Sequence, residues 1–100
     1  LVDLFDTFLV ECKEKEIEVI LVYTPEYLEG QSFVKNRTEI ITLFENFSEI
    51  HKVPFLDYSG NEICTKKEYF YNASHLNKTG AELFTNILIN DLSEKRIITK

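Results

Sequence analysis

Few residues in this chain carry side chains suited to chemistry, and their positions narrow the choices. There are two histidines, His51 and His75, and two cysteines, Cys12 and Cys64. His75 lies in Asn72-Ala73-Ser74-His75-Leu76-Asn77, ahead of the last apolar-periodic segment. Imidazole exchanges protons near neutral pH, which makes His75 a candidate general base. Asp57 closes an apolar run, while Tyr23 and Thr24 close an earlier one. In open α/β sheets the functional groups gather at the carboxyl ends of strands, so Asp57 and His75 are candidates for one edge. A loop-starting carboxylate and a structural histidine are the plainer accounts of the same residues. With no Cys-x-x-Cys pair a zinc site is not expected, and no metal or cofactor is called for. Two free thiols, Cys12 on a helix face and Cys64 in a polar loop with one of them buried, are the expectation.

The elements that would position these residues follow from periodicity. Leu1, Leu4, Phe5, Phe8, Leu9 and Cys12 recur at three- and four-residue steps and predict one helix face. Residues 17–23 are β-branched and almost continuously apolar, as in a strand buried on both faces. Thr24-Pro25 stops that strand, and residues 24–35 read as a polar loop. Asn36 with Glu39 resembles a capping box, opening a helix with Ile40, Leu43, Phe44, Phe47 and Ile50 as its stripe. Residues 53–57 form a second strand beginning at a proline, and 58–67 a loop. A last helix runs over 78–92 with Asn77 as its N-cap, and residues 93–100 read as a fraying tail.

Strands alternating with helices imply a parallel sheet between helical layers. Two strands leave both sheet edges open, the chain contains no Met, and it opens on Leu1. The expectation is a partial C-terminal domain of about two strands and three helices, residues 1–100 being one fragment. A homodimer joining sheets edge to edge is another way to cover those edges. The formal net charge of −6 and the absence of a basic patch argue against nucleic acid as a partner. No apolar run approaches the ~20 residues of a membrane span.

The block Asn72-Ala73-Ser74-His75-Leu76-Asn77-Lys78-Thr79-Gly80-Ala81 resembles the last conserved block of the SGNH/GDSL hydrolases, Asp-x-x-His followed by Leu-Asn-x-x-Gly-Ala. Tyr69-Phe70-Tyr71 before it and Glu82-Leu83-Phe84-Thr85 after it are similar to that family as well. The resemblance spans nearly the whole chain but only about the C-terminal two-fifths of such a domain. It implies a three-layer, flavodoxin-like α/β/α fold and ester hydrolysis, often of acetyl groups on envelope polysaccharides. An extracytoplasmic location would follow. It also implies that His75 takes the proton of a serine nucleophile, that Asn72 stands at the orienting Asp position, and that Asn77 opens the last helix. Tyr23, Thr24, Tyr71 and Asn77 are then candidates for contacting substrate, and Tyr58, Tyr69, Phe70 and Tyr71 for a sugar-stacking wall or simple packing.

Two departures from the family matter. The Gly-Asp-Ser block is absent, so the chain alone should have little or no activity. Asn72 replaces the carboxylate, an exchange that costs ~10⁴ in a serine-protease triad, where it holds the wrong tautomer. Asp57 is the available substitute carboxylate. A non-catalytic α/β binding or assembly module is the competing reading, favoured by Asn72. A receiver-type domain is a weaker third, lacking a Gly-rich phosphate loop and an acidic cluster. Four matches to the glycosylation sequon, at Asn36, Asn46, Asn72 and Asn77, are expected by chance in an Asn-rich chain.

Overall fold

The computed structural model describes residues 2–95. The elements in order are α1 (Val2–Glu14), β1 (Leu21–Tyr23), α2 (Leu28–Gln31), α3 (Arg37–His51), β2 (Phe55–Asp57), two 3₁₀ turns (Glu62–Thr65 and Lys67–Tyr69), β3 (Phe70–Asn72), β4 (His75–Leu76) and α4 (Lys78–Glu94). This is a mixed helix-and-strand chain with a small parallel sheet. It divides into two compact units, Leu1–Thr24 with Lys35–Tyr58, and Pro25–Val34 with Ser59–Lys100.

In the first unit β1 pairs in parallel with β2, in the register Leu21↔Phe55, Val22↔Leu56 and Tyr23↔Asp57. The crossover through α3 is the βαβ arrangement that the alternation of elements predicts. Leu9, Cys12 and Phe47 are buried. The Phe5 ring meets Phe47 edge-on at 4.8 Å, and Phe44 meets Phe55 at 6.0 Å. The first pair is edge-to-face and the second tilted at 35°, and aromatic contacts of this kind add to the area that the rings remove from water. His51, with a side chain only 10% exposed, reaches Asp6 through Nε2 at 2.6 Å and so ties α3 to α1.

Both helices of this unit end in left-handed residues. Glu16 has φ 57°, its N–H donates to Lys13 O, and the Ile17 N–H donates to Cys12 O at 2.8 Å. That pair of bonds is a Schellman ending in which Glu16 occupies the usual glycine position. Lys52 has φ 57° and ψ 42° and donates to Ser48 O, as does Val53.

These endings explain why β1 is shorter than the predicted run over 17–23. Its ladder begins where the Leu21 N–H meets Pro54 O, because the partner chain has only just left the end of α3. Residues 17–20 therefore have no ladder, and β1 is half-buried rather than buried on both faces. The predicted α1 face is also narrower than its periodicity suggests. Phe5, Leu9 and Cys12 face inward, whereas Leu4 and Phe8 are exposed, as is Ile50 on α3. Asn36 stands at the start of α3 as expected, but its backbone is at φ −110° and ψ 29° and its side chain makes no capping bond.

In the second unit the expected loops carry structure. α2 lies inside 24–35, and Glu62–Thr65 inside 58–67. Asn61 accepts the Ile63 N–H, and the 3₁₀ turn it opens buries Ile63 and Cys64. Cys64 is fully buried, so both cysteines are interior and neither is in a disulfide. α4 starts at Lys78 as predicted, with Asn77 Oδ1 accepting the Gly80 N–H at 2.8 Å. It buries Gly80 and Phe84. Ser93 and Glu94 belong to α4 rather than to a tail. Lys95 is the C-cap of α4, and residues 96–100 of the predicted tail and Leu1 of the α1 stripe lie outside the described residues.

Candidate functional site

His75 does not sit in an open loop before α4. It is the first residue of β4, in a short antiparallel hairpin with β3. The register pairs Phe70 with Leu76 and Asn72 with His75, so Tyr71 is the extra residue of a bulge. Bulges re-aim side chains at sheet rims. Tyr71 is 81% exposed here, and Asn72 and His75 are exposed as well. The short turn Ala73-Ser74 is what lets positions 72 and 75 face each other across the hairpin.

The geometry at Asn72 fixes the chemistry of His75. Asn72 Oδ1 accepts the Ser74 backbone N–H at 2.9 Å and lies 2.9 Å from His75 Nδ1. A backbone N–H can only donate, so the atom it meets must be the amide oxygen rather than the amide nitrogen. That oxygen can only accept, so Nδ1 must carry a proton. In the neutral ring Nε2 is then the bare nitrogen, able to take a proton. A carboxylate at position 72 would select the same tautomer. The neutral amide selects it too, but brings no charge to stabilise the imidazolium.

Glycines hold the hairpin closely. A Cβ on Gly30 would lie 2.3 Å from Ala73 O, and one on Gly80 would lie 2.1 Å from Tyr69 O. Contacts that short leave room only for hydrogen. The Tyr27 N–H donates to Ala73 O at 3.2 Å, and the Tyr27 ring packs on Phe70 at 5.6 Å between centroids. Gln31 Nε2 donates to Glu26 O and Ser59 O, anchoring the same segment. Asn77 is spent on structure: its N–H donates to Tyr69 O, its Nδ2 to Glu68 O, and its Oδ1 caps α4.

The remaining sequence-derived candidates belong to the first unit. Tyr23 and Asp57 are register partners at the carboxyl ends of β1 and β2, and the Tyr58 N–H donates to Tyr23 O at 3.0 Å. Thr24 and Asp57 are exposed. His75 has its Nδ1 partner in Asn72, so the orienting place reserved for Asp57 is already filled. Of the residues proposed for a stacking wall, Tyr58 is buried, Tyr69 is half-buried and Phe70 packs on Tyr27, which leaves Tyr71 as the exposed ring. The Ser32 and Ser48 hydroxyls donate to the backbone carbonyls of Glu29 and Val53.

The first unit also holds an open apolar cavity of about 270 Å³, lined by Phe5, Ile20, Leu21, Val22, Tyr23, Phe44 and Phe55. Sequence reasoning missed the part played by Tyr27 and Gly30, and it missed the Asp6–His51 pair. The one available signal was a glycine inside an otherwise polar loop. Among the described residues no cluster of His, Cys, Asp and Glu could hold a metal, and no helix is long and apolar enough to cross a membrane. Comparison with family models, with curated proteins and with solved structures returns no match for this chain.

Proposed function

We propose that this chain is the C-terminal part of an SGNH-like ester hydrolase, in a three-layer α/β/α domain, and that His75 is its general base. The observation that carries the reading is the Asn72–His75 contact, which leaves Nε2 bare. In the proposed reaction Nε2 takes the proton of a serine hydroxyl as that oxygen bonds to the ester carbonyl carbon. It then returns the proton to the departing alcohol as the ester C–O bond breaks. Water repeats the sequence to free the enzyme. The serine belongs to a Gly-Asp-Ser block that these residues do not contain. O-acetylated carbohydrate is the proposed substrate class, with the exposed Tyr71 ring offering a face on which a sugar could stack. An extracytoplasmic location and a homodimer through the open sheet edges go with the same proposal.

A non-catalytic binding module is the second reading, and the neutral side chain at position 72 is what favours it. The two separate in hydrolysis of p-nitrophenyl acetate by the chain together with whatever precedes it in its gene. The hydrolase reading expects a Gly-Asp-Ser block upstream and a loss of turnover of at least about a hundredfold on His75→Ala. It also sets the scale for Asn72→Asp. The tautomer is already right, so the change adds only charge assistance, worth about tenfold, rather than the ~10⁴ that separates Asp from Asn in serine proteases. Hydrolysis indifferent to His75, or an upstream sequence with no such block, refutes the catalytic reading and leaves the binding module.

A further inference from the structure

The tautomer of His75 depends on a single peptide plane, the one joining Ala73 to Ser74. A trans peptide is rigid, and its carbonyl and N–H point in opposite directions. The N–H of this unit, on Ser74, meets Asn72 Oδ1 at 2.9 Å. Its carbonyl, on Ala73, meets the Tyr27 N–H at 3.2 Å. The Cα of Gly30 faces that same carbonyl so closely that a Cβ there would lie 2.3 Å from the oxygen and 2.9 Å from its carbon. The chain of contacts therefore runs from Tyr27 N–H to Ala73 O, through the peptide to Ser74 N–H, to Asn72 Oδ1, and finally to His75 Nδ1.

We propose that Tyr27 and Gly30, on a segment remote in sequence from the hairpin, are positioning residues for His75. They act by holding the 73–74 peptide plane in the one orientation that turns the oxygen of Asn72 toward Nδ1. An amide has two unlike ends. When the plane rotates, the Ser74 N–H no longer selects Oδ1, and Asn72 can turn its NH₂ toward the imidazole. An NH₂ donates, so Nδ1 then becomes the bare nitrogen and Nε2 carries the proton. The base at Nε2 is lost with no change to His75 or Asn72. A carboxylate would be immune, since both its oxygens accept. The asparagine at position 72 is thus what makes this distant segment matter.

The inference bears on the site described above, and its consequence for turnover rests on the hydrolase reading. The positioning itself is read without turnover, from ¹⁵N shifts of the imidazole nitrogens in the labelled 100-residue chain, at a pH where His75 is neutral. Wild type should show protonated Nδ1 and bare Nε2. Gly30→Ala should lower the ratio of that tautomer to the other by about tenfold, the equivalent of one net hydrogen bond. Adding Asn72→Asp to Gly30→Ala should restore the ratio, which general loosening of the fold would not do.

Tyr27 supplies the second arm. Its φ of −61° suits proline, so Tyr27→Pro removes the N–H donor at a compatible angle, while Tyr27→Ala removes only the ring. Tyr27→Pro should shift the tautomer ratio and Tyr27→Ala should leave it unchanged, which carries the test even if Gly30→Ala fails to fold. An unchanged ratio in folded Gly30→Ala, equal shifts in the two Tyr27 variants, or no rescue by Asn72→Asp would each overturn the inference. The predicted shifts in this chain, with no esterase activity from the chain together with its upstream sequence, would remove the hydrolase reading and leave this positioning intact.

Discussion

Replacing Gly80 by alanine sets two effects of opposite sign against each other. Alanine is favoured over glycine inside a helix by about 1 kcal/mol. Gly80 lies in the first turn of α4, where that gain would apply. Against it stands the Tyr69 carbonyl, whose oxygen would be 2.1 Å from the new Cβ and whose carbon would be 3.0 Å away, with Leu76 Cδ2 also at 3.0 Å. The Leu76 methyl can move aside, but the carbonyl cannot. Tyr69 O accepts the Asn77 N–H at 2.9 Å, and the neighbouring Glu68 O accepts Asn77 Nδ2 at 2.7 Å. Moving this backbone means lengthening both bonds as well as relieving overlap, so a cost near the upper end of the usual overpacking range, about 3 kcal/mol, is expected. The net effect is a loss of about 2 kcal/mol, or roughly 10 °C in Tm for a chain of this size.

Gly60 is the internal control. Nothing lies within 4 Å of a Cβ built there, and its φ is not positive. Gly60→Ala should therefore be neutral or stabilise by about 0.5 kcal/mol, through the unfolded chain. Urea unfolding followed by far-UV circular dichroism measures both variants. A Gly80→Ala midpoint equal to that of wild type or Gly60→Ala would refute the close-approach argument.

Three further outcomes follow from the same geometry. A double-mutant cycle on Asp6→Ala and His51→Ala should give a coupling of about 1 kcal/mol, because the pair is short but Asp6 is half exposed; urea midpoints that add without coupling would contradict it. Asn77→Ala should cost about 2 kcal/mol, more than an ordinary cap, because the tie to Glu68 O goes with it; chemical denaturation reads this directly. Lys52→Gly should gain about 0.5 kcal/mol by relieving a left-handed side-chain residue at the end of α3, visible as a raised Tm.

The legible parts of the fold were those with local causes. The Lys78 start of α4 and its Asn77 cap follow from capping chemistry, and the parallel pairing of β1 with β2 follows from the order in which locally encoded strands and helices alternate. What was not legible depends on groups distant in sequence. Cys64 sits among polar neighbours in sequence, yet the Asn61-capped turn carries it inside. The lengths of β1 and β2 depend on the left-handed ending of α3 at Lys52, a conformation that lysine does not advertise. Leu4 and Phe8 obey helical spacing but fall outside the buried face of α1.

At the site, the His75 block was legible as a motif, but the consequence of its asparagine was not. An amide is ambiguous until a donor selects one of its ends. That donor, the Ser74 N–H, is oriented by contacts from Tyr27 and Gly30 that no local pattern encodes.

The ¹⁵N spectrum of the His75 imidazole in the unaltered chain, at a pH where the ring is neutral, tests the central claim most directly. The account predicts a protonated Nδ1 held by Asn72 Oδ1 and a bare Nε2. A protonated Nε2 with a bare Nδ1 would contradict it, and would remove the base on which the proposed chemistry depends.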